Sequence, residues 1–346
     1  MRDIVTAAVR GEHVTAASWH RFWDALAAKR VDRAEAAALF AALSARPPGP
    51  VTADGFVTSL AQRRTTPPLR LPAAVNIVGT GGGPSTVNIS TAAAVVAAAT
   101  GVPVLKTGSR AGSGSVGSID ILDQLGIPLA RSAEEATEQL HRHGIAFAGQ
   151  FVYPTELTRL ARTVLPLGMR AVGGLVNTLG PFLANVSTGA QLTGMSNPAT
   201  HSALHRLAHQ KPGTNIWLCH NELGADELLS VVPNQVHDNR GGSFVVDPAA
   251  LGLDGGELAD LGRPAGESHA EDHADGFRAL LAGHAPAAAV ATVCLNAAAL
   301  AVLAGAAPGF AAGVRAARAA IDDGAALDLV QRLSARTLVG AGGPHG

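Results

Sequence analysis

Asn76-Ile77-Val78-Gly79-Thr80-Gly81-Gly82-Gly83-Pro84-Ser85-Thr86-Val87-Asn88-Ile89-Ser90-Thr91 runs straight into the alanine-rich segment 92–99. Val75 to Val78 reads as a short buried strand, the glycines as a tight loop, Ser90 or Thr91 as an N-cap, and the alanines as a helix. Glycines have no Cβ to keep backbone N–H groups away from an oxyanion, and the helix behind them adds unpaired donors and the positive end of its dipole. The stretch therefore predicts a phosphate or pyrophosphate site at a strand's end. A ligand-free glycine turn is the plain alternative, and the flanking strand, cap and helix weigh against it. No Lys-Ser or Lys-Thr follows the glycines, and the third glycine of a dinucleotide fold is missing, which argues against ATP and NAD.

A chain of 346 residues exceeds the size at which one core keeps growing, so a large domain with a second lobe is expected. Hydrophobic residues make up 47% and charged ones 15%, which excludes a disordered chain and fits a compact enzyme rich in small side chains. A formal net charge of −1 gives no global attraction to nucleic acid or an anionic membrane. Cys219 and Cys294 lie far apart in apolar surroundings and read as buried thiols, consistent with a reducing cytoplasm. The opening Met1-Arg2-Asp3-Ile4 has no apolar signal core. The longest apolar span, Ala287 to Ala307, is mostly alanine and contains Asn296, so it reads as a buried helix rather than a membrane span.

From Ile4 to Leu60 apolar residues recur at helical spacing, with Trp19, Phe22, Trp23 and Leu26 on one face and Thr15 or Ser18 as caps. Residues 1–68 thus predict a small helical lobe, and Arg63 to Pro72, with three prolines, a linker. Beyond it strands and helices alternate: a strand at Val102 to Leu105, helices at Val116 to Leu125 and Ala133 to His143, and a strand at Ile145 to Ala148. That alternation predicts an α/β domain over 73–346, with a mostly parallel sheet flanked by helices. Helical stretches between about 155 and 190 are assigned back to the small lobe. Asn215 to Cys219 reads as a strand, Gln235 to Val246 as a hairpin turning at Gly241-Gly242, and Ala287 to Ala304 and Gly309 to Asp322 as closing helices.

Two further places carry chemistry. Lys106-Thr107-Gly108-Ser109-Arg110 and the Ser/Gly run to Ser118 form a second polar loop at a strand's end, with Lys106 able to neutralise phosphate and Ser113, Ser115 and Ser118 able to hydrogen-bond around it. Asp226-Glu227, after the strand ending at Cys219, form a hard-cation pair suited to Mg2+. They could equally serve as acids starting a helix at Leu228. His201, His205 and His209 fall at helical spacing and read as a solvated face, and His269, Glu271 and His273 as loop and cap residues.

As a set the letters resemble the anthranilate phosphoribosyltransferases. The resemblance is carried by Gly79-Thr80-Gly81-Gly82, Asn88-Ile89-Ser90-Thr91, Lys106-x-Gly108-x-Arg110, Gly117-Ser118-x-Asp120, Leu167-Gly168-x-Arg170, Leu179-Gly180-Pro181, Gly224-x-Asp226-Glu227 and Leu295-Asn296-Ala297-Ala298. It implies a homodimer, Mg2+, and 5-phosphoribosyl pyrophosphate (PRPP) as donor. By position it puts Gly79, Gly82, Gly83, Thr86, Asn88, Ser90, Thr91, Lys106, Ser113, Gly114 and Ser118 around PRPP, and Ser90, Asp226 and Glu227 around the metal. Gly79, Thr107, Ser109, Tyr153 and Arg170 face a small aromatic acceptor, Arg170 meeting its acid group.

The chain also departs from the family pattern. Thr107 and Ser109 replace a histidine and an asparagine, Gly83 replaces an acid, and Tyr153 stands where the family tends to carry His. Extra residues at about Ala171 to Leu175 resemble the related pyrimidine nucleoside phosphorylases. The expected function is Mg-dependent phosphoribosyl transfer from PRPP to a small, acidic aromatic acceptor that differs from anthranilate. A pyrimidine-type nucleoside phosphorylase and a non-catalytic nucleic-acid-binding relative remain as alternatives.

Overall fold

The structure is a computed structural model and describes residues 2–108, 117–211, 213–253, 255–262 and 270–340. Four helices open the chain: α1 (Arg2–Arg10), α2 (Ala16–Ala27), α3 (Arg33–Ala45) and α4 (Pro50–Gln62). Thr15 and Asp32 accept early N–H groups of α2 and α3, which fixes where these helices start. Trp19, Phe22, Trp23, Phe40 and Phe56 are buried between them. Trp19 lies edge-on to Phe56 with ring centroids 4.8 Å apart, and Trp23 Nε1 donates to Ser59 Oγ at 2.9 Å. Edge-to-face pairs add about 0.5–1.5 kcal/mol each beyond the area they bury.

β1 (Leu69–Gly79) begins inside the segment read as a linker and is longer than the four residues expected. Then come α5 (Ile89–Ala99), β2 (Val104–Lys106), α6 (Ser118–Gln124), α7 (Ala133–His143), β3 (Ile145–Phe147), α8 (Thr155–Thr163), α9 (Gly168–Val172), α10 (Gly174–Leu183) and β4 (Val186–Gly194). The chain continues through α11 (His201–His209), β5 (Asn215–Asn221), β6 (Asn234–Asp238), β7 (Ser243–Val246), α12 (Ala270–Leu281), α13 (Ala287–Leu303), α14 (Phe310–Asp322) and α15 (Ala325–Gly340). β4, α9 and α15 went unread in the sequence, and α12 begins at Ala270, so Glu271 and His273 lie in a helix where a loop was expected. The cap of α5 is Asn88, in the left-handed region at φ 51°, in place of the expected Ser90 or Thr91.

The seven strands form one sheet in the order β3-β2-β1-β4-β5-β6-β7. β3 through β5 run parallel, and β6 and β7 add an antiparallel edge. One face carries α5 and α13, almost wholly buried alanine-rich helices. Small side chains let backbones approach: a Cβ on Gly313 of α14 would stand 2.8 Å from Ala298 Cα. On the other face Leu160, Leu175, Leu179 and Phe182 share an apolar cluster with Trp19, Phe40, Leu204 of α11, and Ile216 and Leu218 of β5. No helix among the described residues is long and apolar enough to cross a membrane.

From β1 the chain moves outward to β2 and β3, then returns to place β4 on the opposite side of β1. In an open α/β sheet, ligands collect at such a reversal, beyond the carboxyl ends of the strands. Here those ends are Gly79 and Gly194, which are register partners.

Candidate active site

A residue from a third segment fills the crevice between β1 and β4. A Cβ on Gly79 would overlap Asp226 Oδ2 and stand 2.7 Å from its Cγ, and one on Gly194 would stand 2.8 Å from Asp226 Cα. Only glycine at both strand ends admits Asp226. Its Oδ2 accepts from the Gly81 N–H at 2.7 Å, and Gly81 and Gly82 both occupy the left-handed region, where glycine carries no steric penalty. Ser196 ties the same loop to the exit of β4, its N–H donating to Thr80 Oγ1 at 3.1 Å and its hydroxyl to the Gly81 carbonyl at 2.6 Å. Gly83 is also constrained: a Cβ there would lie 2.5 Å from the Gly224 carbonyl oxygen, so an acidic residue needs the 224–226 backbone to withdraw.

Asp226 and Glu227 do not start a helix. The turn that carries them is held by two buried asparagines. Asn221 donates to the Glu227 carbonyl at 2.9 Å; Asn296 of α13 accepts from Leu228 N–H at 3.2 Å and donates to Leu228 O at 2.7 Å. Thr86 donates to both Glu227 oxygens at 3.2 Å. Lys106, only 3% exposed, donates to the Ile77 carbonyl at 3.1 Å and Ser90 Oγ at 3.4 Å. Burial lowers this ammonium to about 8 against the pull of both carboxylates. Burial, then repulsion from Asp226, pushes Glu227 up to about 8, and burial also raises Asp226. The charge of Asp226 opposes ionisation of Glu227 beside it, and a bound cation that displaced the Glu227 proton would relieve that repulsion.

The end of β2 is organised by a neutral network. Thr107, 1% exposed, donates its N–H to Asn76 Oδ1 at 3.1 Å, and its hydroxyl lies 3.0 Å from Asn76 Nδ2. Asn76 also donates to Gln191 Oε1 at 3.2 Å. Burial pushes the Tyr153 phenol up to about 12, with Thr107 nearby pulling the other way.

The structure thus brings Gly79, Gly82, Gly83, Thr86, Lys106, Asp226 and Glu227 to one crevice, with Thr107 and Tyr153 packed inside its flank. Asn88 and Ser90 stand at the mouth of α5. Ser90 joins through Lys106, and no hydrogen bond links it to either carboxylate. Thr91 turns into the core, 1% exposed, with its hydroxyl unpartnered. Ser118 opens α6 beside Gly108, whose Cβ would stand 3.1 Å from Ser118 Oγ. Ser109, Ser113 and Gly114 lie outside the described residues; Arg170 lies in α9, and its side chain is likewise outside them. The sequence reading missed the roles of Asn76, Gln191, Ser196 and Asn221. The one available signal was a polar residue at the end of an apolar strand, as at Asn221.

Residues 71–327 match the glycosyl transferase family, a/b domain. The chain is 34% identical over 320 residues to the anthranilate phosphoribosyltransferase of Methylobacterium nodulans, covering 90% of this chain and 91% of that protein. It belongs to the anthranilate phosphoribosyltransferase family. The enzyme of that name from Rhodospirillum rubrum is 32% identical over 347 residues, covering 99% of this chain and 96% of the relative. The solved anthranilate phosphoribosyltransferase of Thermus thermophilus superposes with a TM-score of 0.78 at 32% identity, over 97% of this chain and 99% of that one. A Saccharomyces cerevisiae family structure, in complex with PRPP and Mg, shares the fold at a TM-score of 0.77 and 19% identity, over 94% and 92% of the two chains. Membership makes this chain a pentosyltransferase-type enzyme with an α/β fold.

Proposed function

We propose that the chain transfers the 5-phosphoribosyl group of PRPP to a small, acidic aromatic acceptor other than anthranilate, with Mg2+ bound and pyrophosphate released. The observation that carries the reading is the half-buried Asp226–Glu227 pair, bonded to the glycine loop through Gly81 and Thr86. The donor set fits Mg2+, which takes one or two carboxylates and completes its octahedron with water and phosphate oxygens. Asp226 and Glu227 would hold the ion, and when bound it supplies charge neutralisation for the departing pyrophosphate.

The chain's own residues do the rest. N–H groups of the glycine loop and the first turn of α5 receive phosphate oxygens, and Lys106 presents its ammonium to the same charge. Bond breaking at C1 gives a transition state with oxocarbenium character, so catalysis lies in orientation and electrostatic stabilisation, and an arylamine nucleophile needs no strong base. On the acceptor side the Thr107 hydroxyl is engaged by Asn76, leaving fewer groups to meet a ring amine. Arg170 is assigned to the acceptor's carboxylate. A helical lobe of residues 1–68 joined by helices from 155–190, homodimerisation and a cytoplasmic location belong to the same proposal.

Pyrophosphate release with PRPP, Mg2+ and a panel of aromatic acids tests it. Turnover with a non-anthranilate acid and poor use of anthranilate is expected. Efficient use of anthranilate would refute the altered specificity, and PRPP-independent phosphorolysis of a pyrimidine nucleoside would replace the transferase reading.

A further inference from the structure

Five imidazoles stand in a row along the sheet face opposite the alanine-rich helices. From one end they are His209, His205, His201, His237 and His220, with successive ring centroids 4.2, 5.2, 4.2 and 5.6 Å apart. Three elements contribute: α11 spaces its histidines four apart on one side, β5 carries His220 and β6 carries His237. Leu218 is the register partner of His237, and His220 follows two residues on, so the two side chains are diagonal neighbours on one face. The sequence reading of His201, His205 and His209 as a solvated face holds only for His209; His201 and His205 are half-buried.

We propose that His220, His237 and His201 form a binding site for a divalent first-row transition metal ion, separate from the carboxylate pair. His237 Nε2 and His220 Nε2 are 3.5 Å apart. Two nitrogens bound to one tetrahedral ion at 2.0–2.1 Å stand about 3.4 Å apart, so this pair already has nearly the spacing of a shared ion. The other nitrogen of His237, Nδ1, lies 2.7 Å from Ser243 Oγ. With Nδ1–H donating to that hydroxyl, the lone pair falls on Nε2, the usual outer-shell arrangement of a ligating histidine. His201 Nε2 is shut from solvent and has no hydrogen-bond partner.

No three ligating side chains among the described residues are yet gathered for an ion, and a turn of the His201 ring, which packs 4.2 Å from His237, is what completes the set. The charges acting on His201 and His205 are other imidazoles, with no carboxylate among them. Nitrogen donors select Cu2+, Ni2+ and Zn2+, in contrast to the oxygen-seeking Mg2+. His220 faces the side of β5 that carries Leu218, whereas Cys219 faces the opposite cluster, with Asp226 and Glu227 as its charged neighbours.

The test is calorimetric titration of the untagged full chain with Zn2+ and Cu2+, with millimolar Mg2+ occupying the carboxylates. One ion per chain is expected at micromolar affinity, with Cu2+ tighter than Zn2+ and a melting temperature that rises with metal concentration. Ser243→Ala should weaken binding about 10–100-fold by freeing His237, and the His220→Gln, His237→Gln double variant should abolish it. Co2+ added to the unsubstituted protein should give the intense visible bands of a tetrahedral nitrogen site, a readout that does not depend on any variant folding. No stoichiometric binding, no tetrahedral Co2+ spectrum, or equal binding by the double variant overturns the proposal and leaves His220 and His237 as a hydrogen-bonded pair.

Discussion

Gly79→Ala adds one methyl group at the point where the strand end meets the carboxylate. That methyl would overlap Asp226 Oδ2 and stand 2.7 Å from Cγ and 3.1 Å from the Asp226 carbonyl oxygen. The carboxylate must swing away, which breaks its 2.7 Å bond from the Gly81 N–H. A hydrogen bond to an ionised group is worth about 1.5–3 kcal/mol net. Gly79 is not among the glycines at positive φ, so alanine also restricts the unfolded chain and returns about 0.4–1 kcal/mol. The balance is a loss of about 1–2 kcal/mol in stability, together with a larger loss in Mg–PRPP affinity because the displaced group is the proposed metal ligand. Urea unfolding followed by circular dichroism reads the first and calorimetric titration the second. Gly213→Ala, with nothing within 4 Å of its Cβ, is the control and should stay within about 0.5 kcal/mol. Wild-type stability and PRPP affinity in Gly79→Ala would refute the close seating of Asp226.

Asn296→Ala strands the buried Leu228 N–H and carbonyl; at about 1–3 kcal/mol for each unmet group it should lower unfolding stability by about 2–4 kcal/mol and weaken PRPP binding, and a change under about 0.5 kcal/mol would mean the acidic turn is anchored elsewhere. Glu227 holds its proton to about 8 in the folded chain against an ordinary 4.5, so metal-free stability should fall as pH rises through that window. Lys106, lowered from 10.5 to about 8, gives the opposite slope above it. Mg2+ with PRPP should release a proton at neutral pH and bind more tightly from pH 6.5 to 8.5; calorimetry in buffers of different ionisation enthalpy checks this, and pH-independent binding contradicts it. Tyr153→Phe should raise the acceptor's KM and leave PRPP affinity unchanged, whereas an equal effect on both would move Tyr153 out of the acceptor site.

The strand, glycine loop and alanine helix at 75–99 were legible because their composition and their packing demand the same residues: glycine where backbones meet a carboxylate, alanine where helices touch. β4 was not legible. Val186-Ser187-Thr188-Gly189-Ala190-Gln191-Leu192-Thr193-Gly194 carries no apolar run, yet most of it is buried. Gly189 and Gly194 are there because Pro72 O and Asp226 O take the space of a Cβ, and Gln191 because a neutral network crosses the sheet. Pro72, Asp226 and Asn76 lie more than thirty residues from their β4 partners in sequence and leave no periodic trace. Asp226 and Glu227 were readable as a cation pair, but their anchoring by Asn221 and Asn296 was not. The histidine row is assembled from α11, β5 and β6, so its α11 spacing alone suggested only a polar helix face.

The most direct test of the central claim is a calorimetric titration of PRPP into the purified chain with and without Mg2+. The account predicts one PRPP per chain, binding that depends on Mg2+ and is lost in the Asp226→Ala, Glu227→Ala double variant. No binding at millimolar PRPP, or binding that survives both the double substitution and removal of Mg2+, would contradict it.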